Sequence, residues 1–225
     1  MLPPLIFIFV RLELPGVALA LILLSKWRIF AVRARHWLAH IRTNAVDIIF
    51  SLSILAFMTN TTEMSVQLLW VLVYEIWILF IKPGSNGLMV SIQALLAQLF
   101  GMIALFIAFE EVGLSVYIIG TAAILYFSAR HFFGSFEEKD YSTYSWIWAL
   151  FGSCLVWVLG HWLLFYGPVA QHAIMLGVLG YGLGALYYLS ETDRLSTMVR
   201  RQVIFVMTAV VIVMLVLADW GSRTV

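Results

Sequence analysis

Eight apolar runs, at roughly 3–24, 44–59, 64–82, 87–109, 112–129, 145–165, 170–189 and 202–219, dominate this chain of 225 residues. A helix needs about 20 mostly apolar residues to cross about 30 Å of hydrocarbon, where no water satisfies the backbone. With 63% hydrophobic residues, 11% charged residues and a mean hydropathy of +1.00, a water-soluble domain of this length could not hide so much apolar surface. Soluble enzymes, nucleic-acid binders, secreted disulfide scaffolds and disordered linkers are thereby excluded. The expected fold is all-α: a polytopic integral membrane bundle of about eight transmembrane helices, forming one domain over 1–225. The run 44–59 is the weakest, being short and carrying Asp47; a count of seven would make one of the weaker runs re-entrant. The start Met1-Leu2-Pro3-Pro4 lacks the basic region of a cleavable signal, so the first run is expected to remain in the mature protein.

Charge placement gives the expected orientation. If the first run leads from outside to inside, Lys26, Arg28, Arg33, Arg35, Arg42, Lys82, Arg130, Lys139, Arg194, Arg200 and Arg201 all face the cytoplasm, eleven of the 13 basic residues. Lys/Arg bias toward cytoplasmic loops sets topology. It predicts a plasma or inner membrane protein with both termini extracytoplasmic, Arg223 outside and Arg11 within the first run. Trp27, Trp37, Tyr144, Trp146 and Trp148 then mark the inner interface, and Trp162, Tyr166 and Trp220 the outer one.

Residues 26–43 read as an amphipathic elbow after the first helix. At 100° per residue Trp27, Phe30, Ala34, Trp37, Leu38 and Ile41 share one arc, with the basic residues off it. Such a helix lies in the interface plane, and Lys26, Arg28, Arg33, Arg35 and Arg42 are the expected contacts for anionic lipid headgroups on the cytoplasmic face. Small residues form two seams: Ala173, Gly177, Gly180 and Gly184 in the seventh run, and Ala94, Ala97, Gly101, Ala104 and Ala108 in the fourth. Small residues let membrane helices approach closely. Helix packing is the plain reading of Gly177, Gly180, Gly184 and Gly101, and a glycine-lined passage the sharper one.

Charges at membrane depth are the expected functional residues. Arg11 and Glu13 sit in the first run on nearly opposite faces of a helix. Glu75 lies about 18 Å from Glu63 along the third run at 1.5 Å per residue, on one face with Gln67, Tyr74 and Lys82. Gln93 and Gln98 in the fourth run lie at comparable depth and could bond to it. A charge at the bilayer centre is costly and faces protein or water. Arg11, Glu13, Glu75, Gln93 and Gln98 are therefore expected to line an interior polar seam with Glu75 as its titrating group.

Other signals are plainer. Glu110 and Glu111, with no arginine before Arg130, read as two solvated turn acids. His36, His40 and His131 lie toward one face and His161 and His172 toward the other, and interfacial hydrogen bonding accounts for them as well as a haem pair does. Cys154 stands alone. No zinc, nucleotide or serine-nucleophile motif and no deep lysine for retinal is present, so no metal site and no cofactor is expected. The leading expectation is a small-solute or ion transporter or channel-like protein, possible proton coupling included. A non-catalytic subunit or scaffold, binding a membrane partner or a second copy, comes next. A membrane-embedded enzyme acting on lipid is third. No nucleic-acid partner is expected.

Overall fold

The computed structural model describes residues 2–29, 31–109, 112–162, 165–166 and 169–217, and of Arg28, Trp162, Phe165 and Tyr166 the backbone alone. Phe30, Glu110, Glu111, Trp220 and Arg223 lie outside the described residues. Nine α-helices follow one another among them: α1 Leu2–Arg11, α2 Pro15–Ser25, α3 Trp37–Thr59, α4 Met64–Ile76, α5 Gly87–Ala108, α6 Leu114–Gly134, α7 Tyr141–Leu159, α8 Gln171–Glu191 and α9 Thr197–Val216. A π-helical turn, Trp77–Ile81, extends α4, and a two-stranded hairpin, Phe165–Tyr166 with Val169–Ala170, precedes α8. The protein is all-α, and its seven helices α3–α9 are long and apolar enough to cross a membrane.

The first apolar run is two helices, not one. After Phe9 the chain closes a left-handed helix cap: Glu13 N donates to Val10 O and Leu14 N to Phe9 O, with Glu13 at φ 59°. This is the reciprocal pair of bonds that ends a helix, with glutamate where glycine is usual. Pro15, with its fixed φ, then opens α2. α1 packs on α2, α3 and α4, and α2 packs on α3. At one end Arg11 Nη1 reaches Thr62 O in the α3–α4 turn, at 3.3 Å; at the other, Lys26 reaches Asp47 on α3. The two arms are therefore antiparallel, with residues 12–14 at the tip. Each arm has only 10 or 11 residues, about 15 Å or half the hydrocarbon thickness. The shortfall from eight falls here, while 44–59 is the apolar part of the 23-residue α3.

Residues 26–43 likewise differ from a single elbow helix. Two 3₁₀ turns, Trp27–Ile29 and Ala34–His36, flank a bend, and α3 begins at Trp37. The physical reason is the position of Lys26. Held at Asp47, ten residues into α3, it leaves the following chain to run back about 15 Å to reach Trp37. An in-plane helix could not make that return.

α5 stands between two cores. On one side Ile6, Ala18, Ile22, Phe50, Met58, Tyr74 and Trp77 pack together with Ala97 and Ala104, and the Phe50 and Trp77 rings stack at 3.8 Å. On the other, Met102 and Phe106 join Tyr117, Leu125, Val156 and Leu176. Gly101 sits where the two meet: a Cβ there would stand 2.7 Å from Ile49 Cγ2 and 3.1 Å from Ile124 Cγ2. α4 and α9 are outermost and turn Leu68, Leu72, Phe80, Phe205 and Val213 outward, the surface a bilayer would solvate. Asn86 and Ser196 cap α5 and α9, each side-chain oxygen accepting from the backbone N–H three residues on.

Candidate functional site

Two features stand out, one on each side of α5. The first is a charged pin. Asp47, 7% exposed, accepts from Lys26 Nζ, from Lys82 Nζ at 2.7 Å and from Trp77 Nε1 at 3.0 Å. The π turn makes this possible. Its wider winding, with Lys82 N bonded to Trp77 O, brings residues five apart onto one face, so Trp77 and Lys82 both aim at Asp47. One turn along α3, Ser51 gives its hydroxyl to Asp47 O at 2.6 Å and accepts from Tyr74 Oη at 2.7 Å. The pin thus ties the hairpin, α3 and α4 together. Two ammoniums share one carboxylate, and burial holds Lys26 below the ordinary lysine range despite the carboxylate beside it.

The second feature is a cleft of about 550 Å³ bounded by α5, α6, α7 and α8. α7 packs along α6 while α8 packs on α5 and α9, so α7 and α8 part from each other and the space opens between them. Ile147, Phe151 and Leu183 line this space and are also exposed, so the opening lies on a face that hydrocarbon would bathe. Ala94, Leu95, Ala129 and Phe132 form the back wall. Gln98 closes the deep end, donating to Leu176 O at 2.9 Å and accepting from Trp148 Nε1 at 3.0 Å. Glu138, Tyr144 and Tyr187 stand at the mouth, where the Tyr187 hydroxyl donates to Glu138. Ser128 also lines the cleft. Its buried hydroxyl has no partner among the described residues, whereas Ser51, Ser53, Ser91 and Ser145 each donate to the carbonyl one turn back.

The glycine seam makes this chamber. Gly180 faces Gln98, whose amide a Cβ would overlap; Gly177 faces Leu99; Gly182 faces Met207 of α9. Gly184 looks into the cleft, where a Cβ would meet nothing closer than Leu95 Cδ2 at 3.8 Å. Small side chains here both admit close packing on α5 and keep one wall of the cleft low.

The five residues expected to form one polar seam lie in separate places. Arg11 and Glu13 are exposed at the hairpin tip. Glu75 is half-buried on α4 and makes no hydrogen bond or ion pair with a described side chain. Gln93 secures the turn after α4, donating to Ile81 O at 2.6 Å and Gly84 O at 2.9 Å and facing His131 Nε2 at 2.9 Å. Gln98 belongs to the cleft. The basic residues divide too: Lys26 is in the pin, while Arg33, Arg35 and Arg42 are exposed beside exposed Trp27 and Trp37. His172 is fully buried and stacks on Phe106, and exposed His161 meets Trp157 O at 3.0 Å. Among the described residues no group of three His, Cys, Asp or Glu could hold a metal ion.

Sequence reasoning passed over Asp47 as a blemish in a weak run, although an acid inside an apolar run is the same signal that singled out Glu75. It also passed over Glu138, which lies in a polar loop and reads as solvated. No family model, curated protein or solved structure matches this chain.

Proposed function

We propose that this chain is a multi-pass integral membrane protein that draws an apolar, lipid-class molecule from the bilayer into the cleft that α5, α6, α7 and α8 enclose. The observation that carries the reading is the cleft itself: about 550 Å³, walled by aliphatic and aromatic side chains, opening between two membrane-facing helices. That volume falls within the roughly 300–1,000 Å³ of small-molecule sites, which combine apolar walls with a few placed polar groups. A hydrated ion would find a single carboxylate along those walls and little to replace its water. The solute route through Glu75 has less in its favour, since Glu75 is not among the residues around the cleft and Gln93 and Gln98 are bonded elsewhere.

In the same reading the basic loops face the cytoplasm of a plasma or inner membrane. A hairpin whose tip meets the α3–α4 turn then leaves the start of α1 near mid-membrane, about 15 Å from that outer tip, and the end of α9 outside. Exposed Arg33, Arg35 and Arg42 beside Trp27 and Trp37 suit anionic lipid, at about 1 kcal/mol per basic residue near the surface.

Photo-crosslinking with a diazirine-bearing fatty alcohol in nanodiscs tests the cleft. Labelling should concentrate on Ile147, Phe151 and Leu183 and fall at least about tenfold in Gly184→Leu, whose side chain would fill the space. Labelling spread evenly over α4, α7 and α9, and unmoved by that substitution, would overturn the reading.

A further inference from the structure

The mouth of the cleft carries a carboxylate that no cation among the described residues answers. Glu138 stands there with Phe133, Tyr144 and Tyr187 and makes no ion pair among the described residues. Arg130, eight residues earlier, is committed elsewhere: Nη1 to Tyr126 Oη at 3.1 Å, Nη2 to Tyr141 Oη at 3.1 Å, and its guanidinium 4.6 Å from the centre of the Tyr141 ring. Lys139 is exposed and lies outside the cleft lining. Among the described residues no basic one lines the cleft. Around Glu138 the rings are dense, with Tyr187 edge-on to Phe133 and Phe136 at 5.2 Å and Tyr144 tilted against Phe133 at 5.5 Å. Ring faces are the negative part of the aromatic quadrupole and attract ammonium groups, most strongly where water is excluded. A carboxylate among aromatic rings, at the end of an apolar chamber, complements a positive head on a greasy tail. An anionic head would meet repulsion there, and an uncharged one would leave the carboxylate with the Tyr187 hydroxyl but no opposite charge.

We propose that the ligand of the cleft is an amphiphile with a cationic head, an amine or quaternary ammonium, held by Glu138 and the faces of Tyr144 and Tyr187. Its tail runs past Ile147 and Leu183 toward Gln98. From Tyr187 to Gly180 along α8 this is about 10 Å of helix. The inference rests on the cleft reading above and adds the charge of the head group.

Three probes of one chain length separate the possibilities: dodecyltrimethylammonium, dodecanol and laurate, titrated against the protein in maltoside micelles and followed by calorimetry. Comparing variants on the same probe cancels its partition into the micelle. Glu138→Gln should weaken dodecyltrimethylammonium on the order of tenfold while leaving dodecanol within about twofold. Glu138→Asp should keep most of the preference. Tyr144→Leu, which removes a ring face without touching the carboxylate, should weaken the cation about threefold, and it serves if the glutamine variant does not fold. Gly184→Leu should weaken cation and alcohol alike. If the glutamine and Tyr144 variants leave the cation unchanged, or laurate binds as well as the cation, while Gly184→Leu still weakens binding, the head-group inference falls and the cleft stands. If Gly184→Leu changes nothing, the cleft reading falls and takes the inference with it.

Discussion

On one side of α5 the hairpin, α3 and α4 bring two lysines, an aspartate and a tryptophan into direct contact, and none of these side chains borders the cleft. On the other side, among the described residues, no Asp, Glu, Lys or Arg of α6–α8 is buried, and about 550 Å³ stands open. The contrast bears on how ionisable groups in a membrane protein are to be read. A charge at depth is costly, so it persists only where something answers it. At Asp47 the answer comes entirely from within the chain, and the result is a fastening. A ligand site needs the opposite: room, and a charge with no counter-ion beside it. Glu138 at the mouth of the uncharged half meets that description better than any residue of the pin.

If the pin is a fastening, its loss should be the largest effect in the molecule. Asp47→Ala leaves Lys26 buried without a counterion, and breaking a buried pair in this way costs about 3–5 kcal/mol. Unfolding in a mixed-micelle titration should show a loss of that size, with residues 12–25 newly open to protease. The comparison sharpens with the triple substitution Lys26→Met, Asp47→Leu, Lys82→Met, because well-packed apolar side chains can replace a buried ion pair at little cost. Recovery of most of the stability, with the cleft still binding its amphiphile, is the expected result. A stable triple variant that no longer binds would show that the pin does more than hold helices together.

The next effect belongs to the other half. Gly180→Ala puts a methyl into the amide of Gln98, which then moves off Leu176 and Trp148 or pushes α8 away from α5. Overpacking of this kind costs about 1–3 kcal/mol. Gly184→Ala, four residues on along the same helix, meets only ordinary contacts and should be neutral within about 0.5 kcal/mol. Equal effects at the two positions would mean that the seam is simply packed along its length and that the cleft is no part of its purpose.

These differences also explain what was legible in the residues beforehand. Hydrocarbon imposes a length on every spanning helix, so α4–α9 follow from the apolar runs with small shifts at their ends. The hairpin was hidden because its turn falls on Leu12-Glu13-Leu14, with a glutamate rather than a glycine in the left-handed position. Arg11, Glu13 and Pro15 together were the available sign, since charges at a hairpin tip need not be buried. The amphipathic pattern of 26–43 was real as a distribution of side chains, and exposed Trp27, Trp37 and Leu38 still fit an interface. Where Lys26 binds is a long-range fact that no local periodicity contains. The π turn is of the same kind: nothing in Trp77–Ile81 distinguishes it from an ordinary helix until Asp47 is seen to demand Trp77 and Lys82 on one face. For the cleft, the glycine seam was visible and the alternative of a lined passage came from it, but charge drew attention to the other half.

A smaller effect is expected with pH. Lys26 holds its proton less tightly in the folded protein than the ordinary lysine value of 10.5 would give, because of burial. Between its lowered value and 10.5 the unfolded chain binds more protons than the folded one, so stability rises with pH over that interval and levels off above it. Thermal unfolding followed from pH 8 upward should show a shallow upward slope in the wild-type protein and a flatter one in Lys26→Met. A falling slope in the wild type would mean that the Asp47 carboxylate outweighs burial and that the pin is tighter when doubly charged.

The smallest effect is the one that bears hardest on the comparison. Glu75 is an acid in mid-helix, half-buried on α4 beside outward-facing Leu72 and Leu79, with no side-chain partner among the described residues. By its depth alone it should be the functional group of the molecule, and by its surroundings it should matter little. Glu75→Gln keeps shape and polarity while removing an acid that no described side chain answers, so stability should not fall by more than about 0.5 kcal/mol. Binding of the amphiphile should be untouched. If that single substitution instead abolishes proton-driven uptake into vesicles, or weakens cleft binding tenfold, the assignment of roles reverses. The helices around α4 would then carry the activity, and the open side of α5 would be where the molecule is merely solvated by lipid.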